Sequence, residues 1–254
     1  SNNIYLASCT QSPNFYTTPG VFQSKPGGQQ DGVVLKINPN CNSILFSTFL
    51  GGSANDAAYV LVLANNNLYV AGGTASTDMP GISPSGVISS TFSGGACDGF
   101  IIEMNTSGTA AIKGTYLGTA GADQVYGIDD DKLGFVYVVG TTEGNWPVLN
   151  AAYSNPGSKQ FIAKLQPDLS AYVYTTVFGS GSSLPNISPT AFLVDRCENV
   201  YVSGWGGKSN EITGFISGNT KGMPVTPDAI KPTTDASGSD FYFFVLKKDA
   251  ASQL

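Results

Sequence analysis

Asn67-Leu68-Tyr69-Val70-Ala71-Gly72 is a short apolar run centred on a tyrosine, and similar runs occur four times along the 254-residue chain. The other three are Asn3-Ile4-Tyr5-Leu6-Ala7-Ser8, Phe135-Val136-Tyr137-Val138-Val139-Gly140 and Asn199-Val200-Tyr201-Val202-Ser203-Gly204. Successive tyrosines are 64, 68 and 64 residues apart. Self-similarity at a nearly fixed period indicates a protein built from structural repeats.

Each repeat contains three more strand-like runs. The second run begins at Asp31, Asp98 and Asp240, with Lys159 at the matching place of the third repeat, and the third run ends at Gly51, Gly118 and Gly179. A fourth run, such as Ala58–Leu63, precedes the next tyrosine run, and turns rich in Asn, Asp and Gly join the two. Four strands per repeat and no helical periodicity predict an all-β fold, a β-propeller of four-stranded antiparallel blades.

The period divides residues 1–254 into repeats of approximately 1–56, 57–122, 123–189 and 190–254, which we interpret as one propeller segment of about four blades. A formal charge of −6 without a basic patch argues against nucleic acid as a partner. No apolar run approaches the ~20 residues that span a bilayer. Because no signal peptide is visible, we expect a mature form or an excised piece.

No two of the four cysteines form a Cys-x-x-Cys motif; they lie at Cys9, Cys41, Cys97 and Cys197. One or two disulfides would suit an exported protein, with three connectivities possible if all four pair. Buried free thiols are the alternative. A structural zinc site is disfavoured, since histidine is absent and all four cysteines would have to meet from distant positions.

The sequence offers little for catalysis. Without histidine, a Ser-His-Asp triad is excluded in these residues. Asp129-Asp130-Asp131 lacks the spacing of a calcium loop and lies in a predicted hairpin. Asp31, Asp98 and Asp240 recur at strand heads, which favours a structural hydrogen bond over an acid–base role. We therefore predict no catalytic residue, no metal and no cofactor.

The two tryptophans are the candidate binding residues. Trp146-Pro147 takes the place of Met79-Pro80 and Met223-Pro224 in a repeated long loop, which favours loop packing, although an exposed ring could stack on a sugar or a protein. Trp205 has no aromatic counterpart in the other repeats, and it opens the longest connection, Trp205 to Ser239. It is the stronger candidate for partner contact.

Two further segments carry a family resemblance. Tyr69-Val70-Ala71-Gly72-Gly73-Thr74-Ala75-Ser76-Thr77-Asp78-Met79-Pro80 and Phe49-Leu50-Gly51-Gly52 resemble the bacterial seven-bladed β-propeller (SBBP) repeat. Asp195–Gly207 and Met223–Ala229 are similar to propellers in large cell-surface proteins of Bacteroidota, which are exported by type IX secretion and associated with gliding motility. The resemblance implies an extracellular or outer-surface location and provides no ligand-binding residues.

By the blade order of that family, both ends of the sequence interrupt a blade. We expect further blades or domains of the same polypeptide, or partner chains, to cover the exposed edges. The preferred function is a non-catalytic binding, adhesion or display scaffold for a protein or glycan at the cell surface. The alternatives are a structural subunit of a surface or secretion assembly, and a polysaccharide hydrolase or lyase whose active residues lie outside this segment.

Overall fold

The computed structural model describes residues 2–207 and 218–254, and almost all of their regular structure is β-strand. In order along the chain, the strands are β1 (Ile4–Thr10), β2 (Asp31–Ile37), β3 (Ile44–Leu50), β4 (Asp56–Ala64), β5 (Asn67–Thr74), β6 (Asp98–Asn105), β7 (Ala111–Leu117), β8 (Asp123–Asp130), β9 (Val136–Thr142), β10 (Gln160–Leu165), β11 (Tyr172–Phe178), β12 (Ser188–Val194), β13 (Val200–Trp205) and β14 (Phe241–Leu246). A single-turn 3-10 helix, Lys248–Ala250, is the one helix in this part of the chain. None of the described residues forms a helix with the length and apolar character needed to cross a membrane.

The strands form four sheets in chain order. Sheet 1 is β1-β2-β3, sheet 2 is β4-β5-β6-β7, sheet 3 is β8-β9-β10-β11 and sheet 4 is β12-β13-β14. The registered neighbours are antiparallel, and they are joined by short turns or by the long loops of the repeat. The predicted all-β fold of propeller-blade sheets is therefore confirmed, with three strands rather than four among the described residues of sheets 1 and 4.

The strand registers repeat with the sequence. The four tyrosines lie opposite Lys36, Glu103, Lys164 and Val245 on the neighbouring strand. Five residues after the tyrosine, Thr10 lies opposite Asp31 and Thr74 lies opposite Asp98. Because successive side chains of a strand alternate between faces, this shared register gives each sheet the same two faces.

Two compact units contain these sheets, Ser1–Val125 with Pro167–Ala171, and Tyr126–Gln166 with Tyr172–Leu254. In the first unit, Val34 and Phe46 of sheet 1 pack with Val70 and Phe100 of sheet 2, and all four are at most 2% exposed. Burying an apolar side chain of this size contributes about 1.5–3 kcal/mol, so this inter-sheet core is a main source of stability.

The second unit repeats that arrangement with larger rings. Val139 and Ile162 of sheet 3 pack with Val202 and Phe244 of sheet 4. Phe178 stacks on Phe244 with ring centroids 4.8 Å apart and an angle of 11° between the planes. In both units, the face of one sheet that carries the repeat tyrosine thus packs against the face of the next sheet that does not carry it.

A buried ion-pair network also joins sheets 3 and 4. Lys164 Nζ lies 3.1 Å from Asp131 Oδ2 and 2.9 Å from Glu198 Oε2, and these three side chains are at most 8% exposed. Lys248 Nζ, on a half-exposed side chain, binds the other oxygen of Glu198 at 2.8 Å. Hydrogen bonds from the two lysines lower the pKa of Glu198 from 4.5 to about 2, so its contribution to stability is complete at neutral pH and is lost progressively as the pH falls from about 4.5 to about 2.

The two lysines of this network should differ in their effect on stability. Replacing Lys164 leaves the buried carboxylate of Asp131 without a cation and Glu198 with Lys248 alone, so we expect Lys164→Met to lower the free energy of unfolding by about 3–5 kcal/mol. Lys248→Met removes a partly solvated partner and should cost less than ~1 kcal/mol. Urea denaturation of both variants at pH 7 measures the difference, and equal losses would contradict the buried network.

Candidate functional site

Trp146 is packed against its own blade, which is the arrangement that its place in the repeated loop favours over partner contact. The side chain is 7% exposed, its ring stacks on Phe161 with centroids 3.5 Å apart, and its Nε1–H donates to Thr175 Oγ1 at 2.7 Å. It contributes to the lining of a cavity of about 330 Å³. Met79 and Met223, at the matching loop positions, are equally buried, so all three residues pin their loops by packing.

Trp205 lies on an exposed aromatic surface. It ends β13 and is 36% exposed, and its cross-strand partner Phe241 is 64% exposed. Phe243, two residues along β14 and therefore on the same face, is 58% exposed, and its ring centroid lies 6.3 Å from that of Tyr201. We call Tyr201, Trp205, Phe241 and Phe243 the aromatic patch. Contiguous exposed aromatic residues of this kind are typical of binding surfaces.

A cleft of about 290 Å³ adjoins the aromatic patch at Phe241. Its other walls are formed by the loop that leads into β14 and include Met223, Val225, Lys231 and Thr233. Lys231 Nζ lies 3.2 Å from Asp240 Oδ1, and the lysine side chain is 67% exposed. The cleft therefore combines an aromatic wall with hydroxyl, ammonium and carboxylate groups, a composition suited to a sugar or a peptide.

Hydrogen bonds connect the loop residues that line this cleft. The hydroxyl and the backbone N–H of Thr220 both donate to Gly238 O, at 3.0 and 3.1 Å. Tyr242 OH donates to Pro224 O at 2.5 Å. The side-chain hydroxyl of Ser237 and neighbouring backbone N–H groups hold the pKa of Asp235 below its usual value, so that carboxylate stays charged at the loop turn.

The predicted contact loop, Trp205 to Ser239, falls partly on residues 208–217, which lie outside the described residues. The described portion, Gly218–Ser239, forms the walls of the cleft. Trp205 and the end of its loop are thus both placed beside Phe241.

The four cysteines are free thiols in the structure, which contains no disulfide among them. Cys9, Cys41 and Cys197 are exposed, and Cys97 is partly buried with Gln124 Nε2 at 3.3 Å from its Sγ. Neither the possible disulfides nor the alternative of four buried thiols describes this arrangement. A residue on β1, Cys9, is the one cysteine of the four that lies within a strand.

The repeated strand-head acids are buried structural groups in sheets 1 and 2. Asp31 Oδ2 accepts hydrogen bonds from the backbone N–H groups of Gly27 and Gly28, at 3.2 and 3.3 Å. Asp98 Oδ2 accepts one from the Ser93 N–H at 2.5 Å. A Cβ atom at Gly51 or Gly118 would collide with these carboxylates, which explains the glycine that recurs at the end of the third strand.

Asp56 forms a denser version of this arrangement, which we call the hydroxyl clamp: Asp56 with Thr74 and Ser76. The carboxylate is 1% exposed and accepts hydrogen bonds from Thr74 Oγ1, from Ser76 Oγ at 2.8 Å and from the Gly52 N–H at 2.7 Å. Sequence reasoning missed this acid. The signal was available, since Asp56 and Asp123 both lie five residues after the glycine that ends the third strand.

Of the Asp129–Asp131 run, only Asp131 lies in the predicted hairpin turn, because Asp129 and Asp130 end strand β8. Asp131 Oδ1 accepts hydrogen bonds from the N–H groups of Leu133 and Phe135, at 2.9 and 3.1 Å. Asp129 Oδ2 accepts one from the Val194 N–H at 2.7 Å. Among the residues the structure describes, no group of three or more Cys, Asp or Glu side chains is arranged to bind a metal ion.

Sequence reasoning also missed Phe241, Phe243 and Lys231 as site residues. The run Phe241-Tyr242-Phe243-Phe244 was identified as a strand, and its alternation places Tyr242 and Phe244 in the core and the other two outside. Which of the two faces stays exposed depends on the neighbouring sheet, so the run alone could not identify the exposed pair.

Comparison with known families supports the repeat. Residues 112–146, which cover β8, β9 and all of β7 except its first residue, match the family model of the SBBP β-propeller repeat. No curated protein matches the chain in sequence. The match supports a propeller scaffold, and it includes Trp146 but neither the cleft nor the aromatic patch.

Asp98 makes stability depend on pH. Burial, with a further contribution from the charge of Asp123, raises the pKa of Asp98 to about 6, above its usual value near 4. The folded protein therefore binds a proton that the unfolded chain releases, and stability falls as the pH rises from about 4 through 6. We expect this fall in the free energy of unfolding to be smaller in Asp98→Asn than in the wild type, by on the order of 2–3 kcal/mol.

Urea denaturation of the wild type and Asp98→Asn at pH 4.5, 6 and 7.5 tests this expectation. Asp235→Asn is the matched control, because the pKa of this exposed carboxylate is lowered rather than raised. Parallel curves for the wild type and Asp98→Asn would show that Asp98 titrates normally.

Proposed function

We propose that this chain is a non-catalytic part of an extracellular β-propeller scaffold, and that it binds a protein or glycan partner at the cleft beside Trp205. The observation that supports this proposal is the aromatic patch adjoining a cleft with polar walls. Apolar rings with polar groups at one edge suit the alternating faces of a sugar, and also the side chains of a protein partner.

The state of the acidic groups favours binding over catalysis. At the cleft, Asp240 is already paired with Lys231 and also accepts a hydrogen bond from the Asp235 N–H at 2.8 Å. The buried acids, such as Asp31 and Asp56, are held by backbone and hydroxyl donors rather than directed at open space. Hydrolysis of a glycosidic bond generally needs two carboxyl groups facing one cavity.

The surface location, the origin in Bacteroidota, export by type IX secretion and a link to gliding or adhesion are parts of the same proposal. They are supported by the resemblance of Asp195–Gly207 and Met223–Ala229 to propellers of that group. Immunogold labelling of intact cells with an antibody to the chain, compared with permeabilised cells, tests the location. Signal confined to permeabilised cells would contradict it.

A structural subunit of an assembly is the second candidate, and the exposed aromatic face of sheet 4 favours it. In sheet 3, Val139 and Ile162 lie on the face that packs against sheet 4, whereas Phe241 and Phe243 on the corresponding face of sheet 4 are exposed. A stable assembly would bury this face against another sheet. Sedimentation velocity of the wild type and Phe243→Ser separates the candidates, since only the assembly predicts an oligomer that the substitution dissociates.

The binding proposal predicts a loss of affinity at the aromatic patch. Against a panel of immobilised glycans and soluble polysaccharides, Trp205→Ala and Phe241→Ala should each weaken binding tenfold or more, because aromatic contacts at an interface commonly contribute over ~1.4 kcal/mol. Tyr16→Ala is the control, because Tyr16 is 61% exposed and belongs to the other unit. Unchanged affinity in both patch variants, or an equal loss in the control, would remove this site.

A further inference from the structure

The cavity of about 330 Å³ that Trp146 helps to line lies within sheet 3 and its loops. Its walls come from the loop between β9 and β10 and from β11, and it shares no lining residue with the cleft beside Trp205. Apolar residues such as Val148 and Val177 line it together with the polar residues Asn145, Ser154 and Lys159. Its volume is near the lower end of the range for small-molecule sites, which suits a single sugar ring.

Lys159 stands where sheet 2 has the buried acid Asp98. That acid is fully buried and accepts a hydrogen bond from its own loop. In sheet 3, two neutral side chains take over this role: Gln160 Nε2 donates to Phe178 O at 3.0 Å, and Gln160 Oε1 accepts the Asn186 N–H at 2.5 Å. The lysine is therefore not needed in the interior, and it lies partly exposed at the cavity.

The ammonium group of Lys159 is oriented by neutral partners. Its Nζ donates to Gly144 O at 2.6 Å and to Glu143 O at 3.3 Å, and both acceptors are backbone carbonyls. None of the ion pairs formed by the described residues includes Lys159. Because an ammonium has three N–H donors, one donor and the full positive charge remain for an incoming anion.

Packed residues hold the walls of the cavity in place. The Trp146 ring is stacked on Phe161, and its Nε1–H is used by Thr175, so the indole shapes the wall and leaves little surface for stacking on a ligand. On the other side, Ser158 Oγ accepts the Gly181 N–H at 3.1 Å. A site whose walls are already ordered loses little conformational freedom when a ligand binds.

We propose that this cavity binds a sugar acid, a monosaccharide unit with one carboxylate, and that the carboxylate binds Lys159. An ammonium acts as a point charge that suits one carboxylate, whereas a phosphate group is commonly held by the planar fork of an arginine. The amide of Asn145 and the hydroxyl of Ser154 can each donate and accept hydrogen bonds, as the hydroxyl groups of a sugar require. The proposal does not depend on binding at the cleft beside Trp205.

D-Galacturonate is the probe, and the indole N–H signals of the ¹⁵N-labelled chain are the reporters. The chain has two tryptophans, so the spectrum of Trp205→Phe identifies the signal of Trp146. Because Trp146 lines the cavity, its signal should shift saturably as galacturonate is added, while the Trp205 signal stays in place. D-Galactose has the same ring without the carboxylate and should bind at least tenfold more weakly.

Variants of Lys159 test the carboxylate contact. Lys159→Gln keeps an N–H donor but loses the charge, so it should bind galacturonate at least tenfold more weakly than the wild type. Lys159→Arg keeps the charge and should bind more tightly than Lys159→Gln. Lys132→Gln is the matched control, because it removes the same charge from an exposed turn of the same unit, and its affinity should equal that of the wild type.

Four results would overturn the proposal. One is a Trp146 signal that does not move in a folded chain, including the case in which galacturonate shifts the Trp205 signal alone and so binds at the cleft. Another is equal affinity for galactose and galacturonate, a comparison that needs no variant to fold. A third is an equal loss of affinity in Lys159→Gln and Lys132→Gln. The last is acetate binding as tightly as galacturonate, which would show that the sugar ring makes no contact.

Discussion

A buried carboxylate at the head of a strand is the interaction on which the architecture depends. A charged oxygen removed from water is costly unless several donors surround it, and here the donors come from the loops that join neighbouring strands. Asp31 and Asp56 each accept several such hydrogen bonds and therefore fix the loops as well as the strands, whereas Asp98 accepts one, from the Ser93 N–H, and burial raises its pKa. The carboxylates of Asp31 and Asp98 lie so close to the backbone of Gly51 and Gly118 that a side chain there would collide with them. The acid and the glycine therefore recur together.

Stacking of one sheet on the next follows from the shared register. Each sheet has an apolar face on both sides, and each unit buries one pair of such faces between its two sheets. On the face of sheet 1 that does not pack against sheet 2, Ile4 and Leu6 are exposed, and on the face of sheet 4 that does not pack against sheet 3, Phe241 and Phe243 are exposed. Surfaces of this kind serve for binding or for assembly, and the cleft beside Phe241 is what favours binding here.

The apolar–polar alternation, the turn residues and the repeat period predicted nearly all of the strands. Strand formation depends on local sequence patterns, and the same pattern occurs in all four repeats. The loop residues Met79, Trp146 and Met223 were likewise predicted to pin their loops. The candidate site was predicted only in part. Trp205 was predicted because the other repeats have no aromatic residue at its position. Phe241 resembled any other strand residue, since a strand pattern does not specify which neighbour covers each face of the strand.

The sequence by itself determined the repeat, the strand order and the repeated acid and glycine positions, since these depend on residue type and spacing along the chain. Tertiary structure alone decided which side chains are buried. It placed Trp146 against Phe161, left Trp205 exposed and kept the thiol of Cys9 free. The physical reason is that burial depends on contact between sheets, and the partners in such contacts lie tens of residues apart in the chain.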